Sequence, residues 1–127
     1  MEAVAIVTAL ALIQFAFFGI QVSSIRGKSG VKAPVMTGSP ELDRMFRVHV
    51  NTMEQLVVFI PALWLYAHYV KPLWAAGFGL VYIIGRFIYR AAYLKDPSNR
   101  ALGFTLSFLP SAVMLVWVMV VATKSYF

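Results

Sequence analysis

The sequence predicts an all-α integral membrane protein, a bundle of four transmembrane helices, and three observations predict it. First, 61% of the 127 residues are hydrophobic and 13% are charged, with a mean hydropathy of +0.77. A soluble domain carries about 25% charged and 45–50% apolar residues, so this chain has too little polar surface to face water. Second, the apolar residues fall into four stretches, each near the ~20 residues that cross ~30 Å of hydrocarbon. Third, turn and cap residues separate those stretches. The composition does not shift along the chain, so residues 1–127 read as a single domain.

The first span covers about residues 3–24, with Gln14 as its only strongly polar member. A cleavable signal would begin with basic residues and hold an apolar core of about 7–15 residues. Here Glu2 leads and the apolar run is longer, so the segment reads as a retained helix. Residues 26–40 make the longest connection, broken by Gly27, Gly30, Pro34, Gly38 and Pro40 and charged by Arg26, Lys28 and Lys32. It ends in Ser39-Pro40-Glu41, a helix start: Ser caps, Pro fits the first turn, and the carboxylate suits the positive end of the dipole. A second helix follows over 40–69, with a kink expected at Pro61. Its wholly apolar part, 56–67, is too short to span, so crossing carries Glu54, Asn51 and Arg47 into or near the membrane. Val70-Lys71-Pro72 is a tight turn opening a third helix that reaches about residue 93. Residues 94–99, including Asp96-Pro97-Ser98-Asn99, form a capped turn. The fourth helix covers about 100–123, with a second kink expected at Pro110.

Charge placement sets an orientation. Of the eleven Lys and Arg residues, Arg26, Lys28, Lys32, Arg44, Arg47, Arg86, Arg90, Lys95 and Arg100 fall at one membrane end; Lys71 and Lys124 fall at the other. The positive-inside rule puts the loops between helices 1 and 2 and between helices 3 and 4 in the cytoplasm, with both termini outside. The net charge of +6 is explained by this topology, which excludes nucleic acid as a partner. The absence of cysteine excludes disulfides, thiolate-metal sites and a cysteine nucleophile, and the two histidines, His49 and His68, cannot make a zinc site alone. No metal is expected.

The polar residues that remain carry the chemistry. Arg47, Asn51 and Glu54 sit at i, i+4 and i+7 on one face of the second helix, with Arg44 before them and Gln55 after. Ionisable residues inside a membrane are costly and are functional candidates by default; the alternative is an internal ion pair or a topological anchor. Arg86, Tyr89, Arg90 and Tyr93 bring a second set from the third helix, although Tyr and Arg also belong naturally to interfacial belts. Gln21, Ser23 and Arg26 end the first helix at the same depth, and Arg100 opens the fourth. Guanidiniums, a carboxylate, an amide and phenols together suit a small zwitterion with more than one carboxylate. Glutathione fits that description, and the chemistry alone does not single it out.

The segment Arg47-Val48-His49-Val50-Asn51-Thr52-Met53-Glu54-Gln55 resembles the R-x-x-x-N-x-x-E signature of the membrane-associated proteins in eicosanoid and glutathione metabolism, the MAPEG family. The following 59–66 stretch, the Thr37-Gly38-x-Pro40-Glu41 entry, the 79–82 stretch and the Arg86-x-x-Tyr89-x-x-x-Tyr93 spacing extend the likeness over most of the chain. The resemblance implies a homotrimer of four-helix subunits with glutathione, as co-substrate, bound between subunits near the cytoplasmic face. It implies that Arg47, Asn51 and Glu54 hold glutathione, that Arg26, Tyr89 and Tyr93 add contacts, and that Arg100 activates the thiol. A cation beside a thiol favours the nucleophilic thiolate. Gly27 and Gln55 depart from the leukotriene-synthesising branch, and His49 looks instead like the transferase branches. As a polar contact near the tripeptide, His49 competes with an equal reading as a subunit-packing residue. His68 reads as interfacial.

The expected function is a membrane glutathione transferase, with peroxidase activity as a second outcome of the same site, acting on a lipophilic electrophile or hydroperoxide that enters from the lipid bilayer. The rivals are a non-catalytic lipid-binding scaffold of the same family and a small proton-coupled exporter using Glu54. The compact length favours a bacterial inner membrane over the endoplasmic reticulum.

Overall fold

Cap chemistry sets the element boundaries. The computed structural model describes residues 1–32, 34, 35 and 37–127; Ala33 and Met36 of the first connection lie outside the described residues. Helix α1 runs over Glu2–Ser29, α2 over Pro40–Tyr69, α3 over Pro72–Lys95 and α4 over Ala101–Tyr126, with a single 3₁₀ turn at Pro97–Asn99 before α4. The Ser39 hydroxyl accepts from the Leu42 amide at 3.1 Å, the expected N-cap. Both α2 and α4 continue helically through Pro61 and Pro110.

Helix α1 is longer than its apolar run. Gly27 is helical, and the chain leaves the helix at Gly30, whose φ of 72° is the left-handed conformation that glycine adopts without strain. The extra turn carries Arg26 on helix rather than in a loop. All four long helices have the length and apolar composition to cross a membrane, which makes this a multi-pass membrane protein.

Helices α2 and α3 form the centre of the bundle, each packed on its neighbours, while α1 and α4 flank them and scarcely meet. The flanking helices expose the widest apolar surface, with Ile6, Ile13, Ile20, Val116 and Met119 all more than half exposed. Such surface is stable in hydrocarbon, where the driving force for association comes from close packing and polar contacts between helices. Small residues make the closest contacts. A Cβ added at Gly85 would lie 2.8 Å from the Leu106 carbonyl carbon and 2.9 Å from the Ser107 amide nitrogen. One added at Gly103 would run into the Tyr89 backbone. Glycine at both positions therefore lets α3 and α4 touch along their backbones.

Two buried hydroxyls are satisfied within their own helices, Thr52 donating to the Val48 carbonyl and Ser107 to the Gly103 carbonyl, each at 2.7 Å. The core divides into two clusters. One centres on Phe59, Tyr66, Tyr82 and Met114, where the Phe59 and Tyr82 rings stack at 3.9 Å. The other, of Phe18, Val22, Leu42, Met45, Val48 and Tyr89, lies under the basic end of the bundle.

Candidate functional site

At the basic end, α2, α3 and α4 enclose a cavity of about 610 Å³ lined by Arg47, Asn51, Tyr89, Tyr93, Arg100 and Phe104. That volume lies within the ~300–1,000 Å³ of sites for small ligands. Helix α2 supplies Arg47 and Asn51 from successive turns of one face. Helix α3 supplies the two tyrosines, also one turn apart, with rings stacked at 5.5 Å and 18°. Helix α4 supplies Phe104, and Arg100 sits at its N-terminus.

Two contacts fix the α4 contribution. Gly103, one turn into α4, packs on the Tyr89 backbone, so the spacing between the tyrosine and Arg100 is set by a glycine contact. The preceding turn is closed by Asp96, whose Oδ1 accepts from the Ser98 amide at 3.1 Å; that bond holds the Asp96 carboxyl below its usual range. Arg100 in turn reaches the Pro97 carbonyl at 3.4 Å. Arg44 donates to the carbonyls of Leu94 and Lys95 at 3.0 and 3.3 Å, tying α2 to the C-terminal end of α3.

The signature on α2 divides between interior and surface. Asn51 is buried, whereas Arg47 and Glu54 stay about half exposed and pair at 3.3 Å across two helical turns. Glu54 does not line the cavity itself; it holds the outer side of Arg47. His49 stacks on Phe15 of α1 at 4.4 Å and 19°, close to Gly19, and so belongs to the α1–α2 contact of this chain. Arg26, half-buried near the end of α1, also lies outside the cavity lining. Gln21 of the same segment accepts from Arg90 Nε at 2.7 Å. Of the eight residues singled out from sequence, five therefore line one cavity, and Arg26, His49 and Glu54 do not.

Of two further residues behind and beside the cavity, Phe104 was not singled out, and Arg86 was named only as one of the polar set on the third helix. Phe104 adds an apolar wall one turn after Arg100. Arg86 is fully buried one turn deeper than Tyr89, donates to Asn51 Oδ1 from both terminal nitrogens at 2.9 and 3.0 Å, and lies 4.3 Å over the Tyr89 ring. Its position three residues before Tyr89, on the same helix face, was the available signal.

A family model for MAPEG proteins matches residues 4–120. The chain belongs to the MAPEG family. Among its MAPEG relatives, an uncharacterized protein of Synechocystis (sll1147) is 40% identical over 112 residues, covering 88% of this chain and 82% of that protein. Human microsomal glutathione S-transferase 2 is 40% identical over 103 residues, covering 81% and 70% respectively. Bovine leukotriene C4 synthase is 32% identical over 114 residues, covering 90% and 73%. The MAPEG signature Arg47, Asn51 and Glu54 thus sits in a four-helix membrane bundle beside a polar cavity.

Proposed function

We propose that this MAPEG protein is a membrane-bound glutathione transferase, with hydroperoxide reduction as a second reaction of the same site. The observation that carries the reading is the single cavity lined by Arg47, Asn51, Tyr89, Tyr93 and Arg100. Glutathione is a dicarboxylate with an ammonium, peptide groups and a thiol. Guanidiniums pair with its carboxylates, the Asn51 amide and the phenols take its peptide groups, and the Glu54 carboxylate receives the ammonium at the cavity edge. The name of one relative, microsomal glutathione S-transferase 2, supports the same co-substrate.

In this reading Arg100 faces the thiol. Its charge favours thiolate over thiol, whose unperturbed pKa is ~8.5. The proton leaves to solvent, the sulfur forms a C–S bond to an electrophilic carbon, and the leaving group departs or, in an addition, the adduct takes up a proton. With a hydroperoxide the thiolate attacks oxygen, the O–O bond breaks and an alcohol leaves. The thiol of a second glutathione then attacks the sulfenic sulfur, the S–O bond breaks, and disulfide and water are formed. Phe104 and the exposed apolar faces of α4 suit a substrate arriving from lipid.

The half-exposed Arg47–Glu54 pair lies on a membrane-spanning helix, where charge facing lipid is costly. We infer that a neighbouring subunit covers it in a homotrimer, and that Arg26 and His49 reach glutathione only across such a boundary. Native mass spectrometry in mild detergent is expected to give a trimer; a monomer under the same conditions overturns this arrangement. Glu54 engaged with Arg47, rather than standing alone, also counts against an exporter built on one membrane carboxylate.

Calorimetry of glutathione binding to the purified protein tests the site. Saturable binding by the wild type, abolished in Arg47→Ala and Glu54→Ala with the helical fold intact, is the expected result. A well-folded wild type that binds no glutathione would sink the transferase reading and favour the scaffold.

A further inference from the structure

Arg86 is a fully buried cation on a membrane-spanning helix, and among the described residues no carboxylate pairs with it. A charged arginine buried within a membrane-spanning helix is costly. Its partners are instead neutral: the Asn51 amide oxygen, taking both terminal N–H groups, and the face of Tyr89. The two charge-assisted hydrogen bonds and the cation–π contact favour the charged form, although the buried Nε has no hydrogen-bond partner among the described residues. The unusual feature is what this does to Asn51.

A guanidinium has only donors. The Asn51 atom facing it must therefore be the amide oxygen, and the orientation of an amide that is ambiguous in most settings is determined here by its neighbour. With Oδ1 occupied twice, Nδ2 is directed away from Arg86. Asn51 also lines the cavity, and among the described residues its Nδ2 has no protein acceptor. The cavity is thus offered an N–H donor at this point and no acceptor. An asparagine free to turn could present either.

We propose that Arg86 is a positioning residue that locks the Asn51 amide donor-outward, so that Asn51 admits only an acceptor atom of the ligand. This rests on the glutathione reading, and there the acceptor is a peptide carbonyl or carboxylate oxygen. Arg86 itself touches neither the ligand nor the reacting sulfur. Its loss leaves Asn51 able to turn its oxygen toward the same ligand oxygen, where the two repel. The effect falls on glutathione affinity and KM more than on kcat, because Arg100 and the thiol are untouched.

Three variants test this by glutathione calorimetry and by steady-state kinetics with a generic electrophile such as chlorodinitrobenzene. Arg86→Gln can donate to or accept from Asn51 and no longer dictates its orientation; it is expected to weaken glutathione binding and raise KM by roughly tenfold, the loss of about one hydrogen bond, with kcat within about threefold. Arg86→Lys, which also has only donors, is expected to recover most of that loss. Asn51→Asp pairs with Arg86 and keeps or raises the melting temperature, yet has no donor to offer and is expected to bind glutathione at least about tenfold more weakly. If Arg86→Gln does not fold, Asn51→Asp carries the test. Wild-type affinity in Arg86→Gln or Asn51→Asp, or an Arg86→Lys variant as impaired as Arg86→Gln, overturns the proposal. A wild type that binds no glutathione overturns the site reading, and the proposal with it.

Discussion

Arg100 and Arg86 show how differently one side chain type can serve at a single site. Arg100 is exposed at the start of α4 and lines the cavity, so its charge is available to a ligand. Arg86 is enclosed and turns both terminal nitrogens to Asn51. In Arg100→Ala the bound thiol is expected to titrate near ~8.5 rather than below it. A lowered thiol pKa keeps thiolate populated at neutral pH; restoring the ordinary value moves the rising limb of the rate profile toward alkaline pH and lowers the rate at pH 7. Thiolate ultraviolet absorbance against pH, with and without the substitution, reads this directly, and superimposable titrations count against Arg100 as activator. Spacing put Arg47, Asn51 and Glu54 on one face and Tyr89 and Tyr93 one turn apart, while the roles expected of them came from the family resemblance. The role of Arg86 was not legible, because a single-helix reading sees an arginine near an interfacial belt. Only the approach of α2 to α3 turns it toward Asn51.

Elements bring these residues together through backbone contacts more than through side-chain bonds. The α3–α4 contact depends on Gly85 and Gly103, and in each case the added Cβ would meet backbone, which cannot move aside as a flexible side chain can. Gly103→Ala is expected to separate α4 from Tyr89, costing about 1–3 kcal/mol as overpacking does, and to displace Arg100 from the tyrosines. Thermal unfolding and glutathione affinity should fall together; an unchanged affinity would show that this contact does not set the site. Helix number and the start of α2 were readable from apolar length and from Ser39-Pro40-Glu41. The end of α1 was not, because Gly27 looked like a breaker. A helical glycine costs about 1 kcal/mol against alanine, too little to end a membrane helix whose next turns still bond internally. The chain leaves the helix where Gly30 takes positive φ instead.

Across the whole molecule, charge is distributed by depth. The cavity, the arginines that brace it and the two basic connections all occupy one end, while Lys71 and Lys124 stand at the other. Some of that imbalance is structural, since Arg44, Arg86 and Arg90 are each bonded to another helix. Removing these from the comparison still leaves Arg26, Lys28, Lys32, Arg47, Lys95 and Arg100 against two lysines, so the bias expected of cytoplasmic loops persists. On the proposed reading the cavity is expected to open toward the cytoplasm, the compartment kept reducing by thiol pools. The chain has no cysteine, so single cysteines give an unambiguous report. In intact cells, a cysteine at Val35 or Ser98 is expected to resist a membrane-impermeant maleimide until the membrane is opened, while one at Phe127 reacts at once. The reverse pattern would place the cavity on the opposite side and require glutathione to be supplied there.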